Sequence, residues 1–118
     1  MLKKQSLLLL FFFTISIITF GQRLNIDSLE QVIPTLKNDS IKLRTMSKLG
    51  WYYADRNFDK SMQKANEMLA VAVPIDAHSE IGNAYNMMGY NYDAQGLELE
   101  KIIEYFEKSI EYGSIYSK

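Results

Sequence analysis

The chain has 118 residues, of which 47% are hydrophobic, and a formal net charge of −1 at pH 7. This length accommodates at most one domain, and the nearly neutral charge argues against binding to nucleic acid or to an anionic membrane surface. The chain contains no cysteine, which excludes disulfides, thiolate chemistry and a lipid-modified amino-terminal cysteine.

The first 21 residues have the pattern of a secretory signal peptide. Lys3 and Lys4 precede an apolar run over residues 7–20, and small residues stand at Thr19 and Gly21. We therefore predict cleavage after Gly21 and export to the periplasm or the medium. The alternative is a membrane anchor through residues 7–20, although spanning a bilayer usually takes about 20 apolar residues. Cleavage would remove two lysines and change the net charge from −1 to −3.

Residues 22–40 are predicted to form an amino-terminal helix and the cap of the helix after it. Asp27 and Glu30 have the spacing of a capping box, and apolar residues follow at helical intervals. The helix should cover about residues 28–37. Pro34 lies inside this range, so we expect a kink or an early end.

The central feature is a pattern that occurs twice, 39 residues apart. Leu49-Gly50-x-x-Tyr53 recurs as Met88-Gly89-x-x-Tyr92. In a helix these three residues share a face, and the glycine permits close approach of a second backbone. Each copy is followed by a short polar loop and a second apolar segment, so the repeating unit is predicted to be a helix, a turn and a helix.

The two units are predicted to cover residues 41–75 and 76–113, and residues 114–118 form a tail or the start of a missing repeat. The expected helices cover about 41–54 and 58–72 in the first unit. In the second unit one helix begins near residues 76–79 and the last runs over about 99–112, with Gly113 as its left-handed terminator. The residues expected to face inward in the last helix are Ile102, Ile103, Phe106 and Ile110.

This pattern resembles the tetratricopeptide repeat, which has Leu-Gly-x-x-Tyr in its first helix. The resemblance implies an all-α fold, a TPR-like α-solenoid of two helix-turn-helix repeats plus an amino-terminal helix. The repeat-core residues that it implies are Leu49, Gly50, Tyr53, Met88, Gly89, Tyr92 and Phe106. The segments Asn-Ile-Asp-Ser-Leu-Glu and Leu-Gly-Trp-Tyr-Tyr-Ala-Asp-Arg-Asn-Phe are also similar to the amino-terminal periplasmic regions of Bacteroidota sensor histidine kinases and related regulators.

In tetratricopeptide repeats the first helix of each pair lines a concave groove. The resemblance therefore implies a peptide groove lined by Arg44, Ser47, Trp51, Asp55, Asn83, Asn86, Tyr90 and Asp93. Arginine offers forked donors, asparagine an adaptable amide and the aromatic rings flat contact area, all of which suit recognition of an extended peptide. The alternative for Trp51 is packing under the first helix or under a neighbouring subunit.

The sequence lacks the residues that most enzymes and metal sites require. His78 is the single histidine, and the glycines form no phosphate-binding cluster. We therefore expect a non-catalytic chain without cofactor or metal, whose partner is a protein or peptide and which can form a homodimer. The expected role is the exported input part, or a truncated remnant, of a membrane signalling protein. The alternative is a structural fragment of a longer repeat array that self-associates through its carboxy-terminal helix.

Overall fold

The computed structural model describes the backbone of residues 25–116 and the side chains of residues 25–113. Within this range the chain is helical and contains no strand, which confirms the all-α class. The predicted signal peptide lies outside the described residues. Residues 25–32 belong to one compact unit of the chain, and the remaining described residues belong to a second unit that begins at Ile33.

The amino-terminal helix ends where Pro34 was expected to interrupt it. Residues 25–32 are α-helical, and Ile33–Thr35 form one turn of 3-10 helix. Proline lacks the backbone N–H that an α-helix needs in its interior, so the tighter turn replaces a further α-helical turn.

Four long helices follow. We name them α1 (Ser40–Ala54), α2 (Phe58–Ala72), α3 (His78–Ala94) and α4 (Leu99–Tyr116). The first three have the predicted positions, but α4 continues past Gly113, so the prediction that this glycine ends the helix was wrong. The left-handed glycine is instead Gly96, with φ of 62° in the loop before α4.

Side-chain caps fix the starts of α1 and α2. The Asp39 carboxylate accepts hydrogen bonds from the backbone N–H groups of Ile41 and Lys42, at 3.0 and 3.3 Å. Asn57 Oδ1 accepts one from the Lys60 N–H at 3.1 Å. Each cap satisfies donors that have no partner inside the first helical turn, and the preceding turn is thereby held in one conformation.

Each helix packs on its neighbour in sequence, and α1 also packs on α3. The core of this stack consists of apolar side chains from all four helices. Its fully or nearly fully buried members include Leu43, Met46, Leu49, Tyr53, Ala65, Met68, Ala72, Ile81, Ala84, Met87, Met88 and Ile102.

The outer side of α4 differs from the prediction. Ile103 and Ile110 were expected to be buried, but they are 47% and 69% exposed. Only one side of α4 has a helix to pack against among the described residues, namely the side that faces α3. Side chains beyond the edge of that contact therefore remain in solvent, even though they continue the apolar pattern of the helix.

The two repeated glycines lie at close helix contacts. A Cβ on Gly50 would collide with the thioether of Met87 in α3, and a Cβ on Gly89 would lie 2.8 Å from the Phe106 ring in α4. Gly50, Gly89, Leu49, Tyr53 and Met88 are buried, whereas Tyr92 and Phe106 are half-buried. The glycines thus give the neighbouring helices room to approach.

Candidate functional site

Residues of α1 and α3 are joined by side-chain hydrogen bonds along one side of the helix stack. We call this the α1–α3 surface. It consists of Ser47 and Trp51 from α1, of Asp55 directly after this helix, and of Asn83 and Tyr90 from α3. We include Asn86, which lies between Asn83 and Tyr90 in α3 and makes none of these hydrogen bonds. It exists because α1 packs directly on α3, so that the first helices of the two hairpins are neighbours.

The amide of Asn83 connects the two helices at the centre of this surface. Trp51 Nε1 donates a hydrogen bond to Asn83 Oδ1 at 3.1 Å. Asn83 Nδ2 in turn donates to Ser47 Oγ at 2.7 Å. Since both ends of the amide have partners on α1, the Trp51 ring is held in a fixed orientation.

Tyr90 makes the second connection. Its hydroxyl donates a hydrogen bond of 2.6 Å to Asp55 Oδ1, and its ring lies edge-on to Trp51, with 5.6 Å between the ring centres. The hydrogen bond to Asp55, then the negative charge of Asp55 and then burial raise the pKa of Tyr90 above its ordinary value. Tyr90 is nevertheless 39% exposed, so this aromatic pair is accessible from solvent.

The structure brings five of the eight predicted groove residues into direct contact with one another. These are Ser47, Trp51, Asp55, Asn83 and Tyr90. The other three, Arg44, Asn86 and Asp93, are exposed on the same two helices and outside this hydrogen-bonded network. Their polar groups are therefore available to a ligand, whereas those of the first five are largely used between the helices.

A shallow cavity of about 270 Å³ adjoins the α1–α3 surface between α3 and α4. Its lining residues are Ser79, Gly82, Asn83, Asn86, Ser109 and Gly113. The cavity is slightly smaller than the roughly 300–1,000 Å³ of typical small-molecule sites. Its walls are small side chains and amides, which suit a protruding side chain of a partner better than an enclosed metabolite.

A buried polar chain lies beneath these surfaces and was missed by the sequence analysis. Asn91 Nδ2 donates to Ser61 Oγ at 2.7 Å, and Ser61 Oγ donates to the Gly50 carbonyl oxygen at 2.8 Å. The chain links α3, α2 and α1, and Asn91 and Ser61 are almost completely buried. The available signal was their spacing, because Ser61 lies four residues before Ala65 and Asn91 three residues after Met88, both at inward positions.

Four tyrosines line the opposite edge of the contact between α3 and α4. Tyr85 stacks on both Tyr105 and Tyr112, with ring centres 6.4 and 6.0 Å apart, and Tyr92 meets Tyr105 edge-on at 5.2 Å. Burial is the largest cause that raises the pKa of Tyr105. These rings pack mainly on one another, so we interpret them as structural.

Among the described residues, no three His, Cys, Asp or Glu side chains are grouped so that they could hold a metal ion. None of the helices in the described range combines the length and the apolar character that crossing a membrane requires.

Comparison of the chain with protein-family models, with curated proteins and with solved structures found no match.

Proposed function

We propose that the chain is a non-catalytic interaction module, a TPR-like array of two helical hairpins that binds a peptide or protein segment on the α1–α3 surface. In this proposal residues 1–21 direct export, and the module serves as the input part, or a remnant, of a membrane signalling protein. The proposed role in a membrane signalling protein is based on the sequence resemblance. The proposed binding surface is based on the geometry of α1 and α3.

The observation that carries the proposal is the fixed aromatic pair on the α1–α3 surface. Trp51 is held by Asn83, and Tyr90 is held by Asp55, yet both rings retain exposed area. A rigid, partly exposed tryptophan next to a tyrosine offers large contact area at a small loss of conformational entropy. Such residues dominate the binding energy of many protein interfaces.

The residues around this pair define the kind of segment that fits. Arg44 and Asn86 are exposed and can bind backbone carbonyls or a carboxylate of a ligand. Asp55 and Asp93 add negative charge at the other end of the same surface. We therefore expect an extended segment with one apolar or aromatic side chain for the Trp51–Tyr90 pair.

Trp51 is the single tryptophan of the chain, so its fluorescence reports on this surface directly. We suggest selecting peptides from a displayed random library on the immobilised chain and titrating the selected peptides while Trp51 emission is recorded. Binding should weaken by about tenfold or more in Asn86→Ala, as expected for loss of a contact at an interface centre. In Trp51→Ala, where the reporter is absent, calorimetry should show a similar or larger loss.

Asn66→Ala is the matched control, because Asn66 is an exposed asparagine on α2 whose amide bonds only to the Met62 carbonyl of its own helix. This variant should bind like the wild type. Equal affinities of wild type, Trp51→Ala and Asn86→Ala, in chains with unchanged circular dichroism, would show that the α1–α3 surface is not the binding site.

Export is tested separately. Residues 1–40 fused to alkaline phosphatase, an enzyme that is active only outside the cytoplasm, should give activity in a Gram-negative host. Replacement of Lys3 and Lys4 by glutamate should reduce that activity, because the signal would lose its basic start. Equal activity of the two fusions would contradict the signal-peptide assignment.

A second candidate function is self-association through α4, and the exposed apolar residues of this helix favour it. Leu99, Ile103 and Ile110 are all exposed on α4. Sedimentation velocity of the chain over a range of concentrations distinguishes an associating chain from a monomeric adaptor.

A further inference from the structure

Half of the residues that line the cavity between α3 and α4 lie at positions that are buried in the first hairpin. The first helices of the two hairpins correspond with an offset of 39 residues, and the second helices with an offset of 41. Gly82 and Asn86 of the cavity therefore correspond to Leu43 and Ser47. In the same way Ser109 and Gly113 correspond to Met68 and Ala72.

In the first hairpin these positions lie beneath α3. Leu43, Met68 and Ala72 have no exposed area, and Ser47 accepts a hydrogen bond from Asn83 of α3. In the second hairpin Asn86 and Gly113 are exposed and Ser109 is half-buried, whereas Gly82 is buried against α4. We call this region the end surface, and it consists of Gly82, Asn86, Ile103, Ser109, Ile110 and Gly113.

The end surface has the form of a seat for a helix. Ser109 and Gly113 are small and allow close approach, and Asn86 offers an amide with both donors and an acceptor. Ile103 and Ile110 lie three residues before and four residues after Phe106, so they continue the apolar side of α4 beyond its contact with α3. An amphipathic helix that covers them would remove this apolar area from water.

In the first hairpin the equivalent seat is filled by one side of α3. Helix α1 of the same chain has a side that corresponds in sequence to this side of α3. Asn83, Ala84, Met87 and Asn91 of α3 contact α1 and α2 or are buried against them. With the offset of 39, the corresponding residues of α1 are Arg44, Thr45, Lys48 and Tyr52. We call these four residues the α1 outer stripe.

The α1 outer stripe is accessible in the described structure. Arg44 and Lys48 are exposed, and Thr45 and Tyr52 are half-buried. The 3-10 turn before α1 packs on this helix yet leaves Ile41, at the start of the same side, 59% exposed. A second molecule can therefore reach this side of α1.

Helices α1 and α4 carry opposite net charges, although none of the six end-surface residues is itself charged. Helix α1 contains three basic residues and no acidic residue, whereas α4 contains four glutamates and two lysines. Two α4 helices placed against each other would bring like charges together, which disfavours a symmetric dimer through this helix. A basic helix laid against α4 is favoured by the same charges.

We propose that the chain self-associates head to tail, with the α1 outer stripe of one copy seated on the end surface of the next. This inference rests on the second candidate function and specifies its partner surface. Because the two surfaces differ, the contact does not close on itself in a dimer, and it produces a distribution of short chains that lengthens with concentration. Screening of the charges by salt should weaken it.

The experiment is sedimentation velocity of the full chain and of two variants, one for each side of the contact. Lys48→Glu reverses a charge of the α1 outer stripe, and Ile110→Lys places a positive charge on the end surface. Both residues are exposed, so the fold of each variant should persist, which circular dichroism checks. Each variant alone should associate about tenfold more weakly than the wild type, or more.

Mixing the two variants gives the decisive result. Lys48→Glu retains an intact end surface, and Ile110→Lys retains an intact α1 outer stripe, so the mixture should associate more strongly than either variant alone. Lys60→Glu, the same charge reversal at an exposed position of α2, should behave like the wild type. Any association through residues 1–24 would be common to all these chains and would not distinguish them.

Three results would overturn the proposal. A wild-type chain that remains monomeric at about 200 μM would show that the end surface has no affinity for α1, since even weak specific contacts form in this range. Association of Lys48→Glu at wild-type strength would indicate a symmetric contact, and association of both variants at wild-type strength would indicate another surface. Neither Lys48 nor Ile110 belongs to the α1–α3 surface, so peptide binding measured on these two variants separates a failure of the proposed function from a failure of this contact.

Discussion

At the scale of single residues, buried side-chain amides and hydroxyls connect the helices of this chain. Asn83 bridges Trp51 and Ser47 near the surface, and Asn91 binds Ser61 in the interior. A buried hydrogen bond adds little net stability, but the loss of one partner leaves the other desolvated and unpaired. Such groups therefore fix the register of the helices more than they stabilise the fold.

The first prediction concerns Ser61, the central member of the buried chain. Ser61→Ala removes the acceptor of the Asn91 amide and the hydroxyl donor to the Gly50 carbonyl. We expect the free energy of unfolding to fall by about 1–3 kcal/mol, the usual penalty for an unsatisfied buried polar group. Urea unfolding followed by circular dichroism measures this change.

The double variant Ser61→Ala/Asn91→Leu provides the control, because it replaces both partners by apolar groups. It should be more stable than the sum of the two single variants predicts. Additive losses would show that the two side chains act independently, contrary to the hydrogen bond between them.

The second prediction concerns the ionisation of Tyr90. Its pKa is raised mainly by the hydrogen bond to Asp55, so the folded chain favours the neutral phenol. This contribution is fully present below the pKa of an unfolded tyrosine and is lost as the pH rises through the higher pKa of the folded state. In Asp55→Asn the charge is removed, and the pKa of Tyr90 should fall towards its ordinary value.

Trp51 emission measures this titration, because a tyrosinate 5.6 Å away quenches tryptophan. The midpoint of quenching should shift to lower pH in Asp55→Asn. Tyr90→Phe identifies the part of the quenching that belongs to Tyr90. An unchanged midpoint in Asp55→Asn would show that Asp55 does not control this group.

The sequence predicted the positions of these residues on their helices but not their hydrogen-bond partners. The repeat identified Trp51 and Tyr90 as equivalent positions, and helical spacing placed both away from Leu49 and Met88. The spacing could not show that Asn83 would bind Trp51, because that bond joins residues 32 positions apart and depends on how α1 packs on α3. The hydrogen bond between Ser61 and Asn91 was hidden for the same reason, although helical spacing places both residues at inward positions.

At the scale of helices, local sequence signals located the helix starts but not the end of α4 or the width of its contact. Asp39 and Asn57 mark the starts of α1 and α2, and Pro74 follows the end of α2 by two residues. Gly113 was misjudged because a glycine at a helix end and one inside a helix have the same local sequence context. The exposure of Ile110 was misjudged because periodicity gives the apolar side of a helix and not the width of its contact.

The third prediction concerns the contact between α3 and α4 at Gly89. In Gly89→Ala the new Cβ would lie 2.8 Å from the Phe106 ring, which is rigid and must move away. Overpacking of this kind usually destabilises by about 1–3 kcal/mol, whereas alanine gains up to about 1 kcal/mol over glycine in a helix. We therefore expect a net loss of stability in thermal or urea unfolding.

Gly113→Ala is the matched control, because no described atom lies within 4 Å of the position that its Cβ would occupy inside α4. Here the helix preference of alanine is unopposed, so this variant should be as stable as the wild type or more stable. The unfolding of both variants should be measured at low protein concentration, where association is minimal. A stabilised Gly89→Ala would show that α4 does not approach α3 closely.

At the scale of the whole molecule, the second unit is a row of helices in which stability depends on neighbours. Helix α2 lies between α1 and α3, whereas α4 packs only on α3 among the described helices. The sequence repeat predicted two hairpins, but a repeat alone does not show how much of α4 remains uncovered. That information came from the exposure of Ile103 and Ile110 in the structure.

The fourth prediction follows from this unequal burial and concerns hydrogen exchange. Helix α2 buries Ser61, Lys64, Ala65, Met68 and Ala72, whereas Ile102 is the one buried residue among the described side chains of α4. Rows of helices open from their less stable end, because each element is stabilised mainly by its neighbours. The backbone amides of α4 should therefore exchange through openings of lower free energy than those of α2 and α3.

Native-state exchange measured by NMR in increasing, subdenaturing urea tests this prediction. The amides of α4 should form a group that opens first, while α2 and the adjoining part of α3 exchange only with global unfolding. Raising the protein concentration should slow exchange in α4 selectively, because a second copy seated on the end surface would cover Ile103 and Ile110 and stabilise the bound helix by mass action. Ile110→Lys should abolish this concentration dependence. At low protein concentration, amide exchange in α2 should be the same in Ile110→Lys and in the wild type. Equal opening energies for α2 and α4 would mean that the second unit unfolds as one cooperative block.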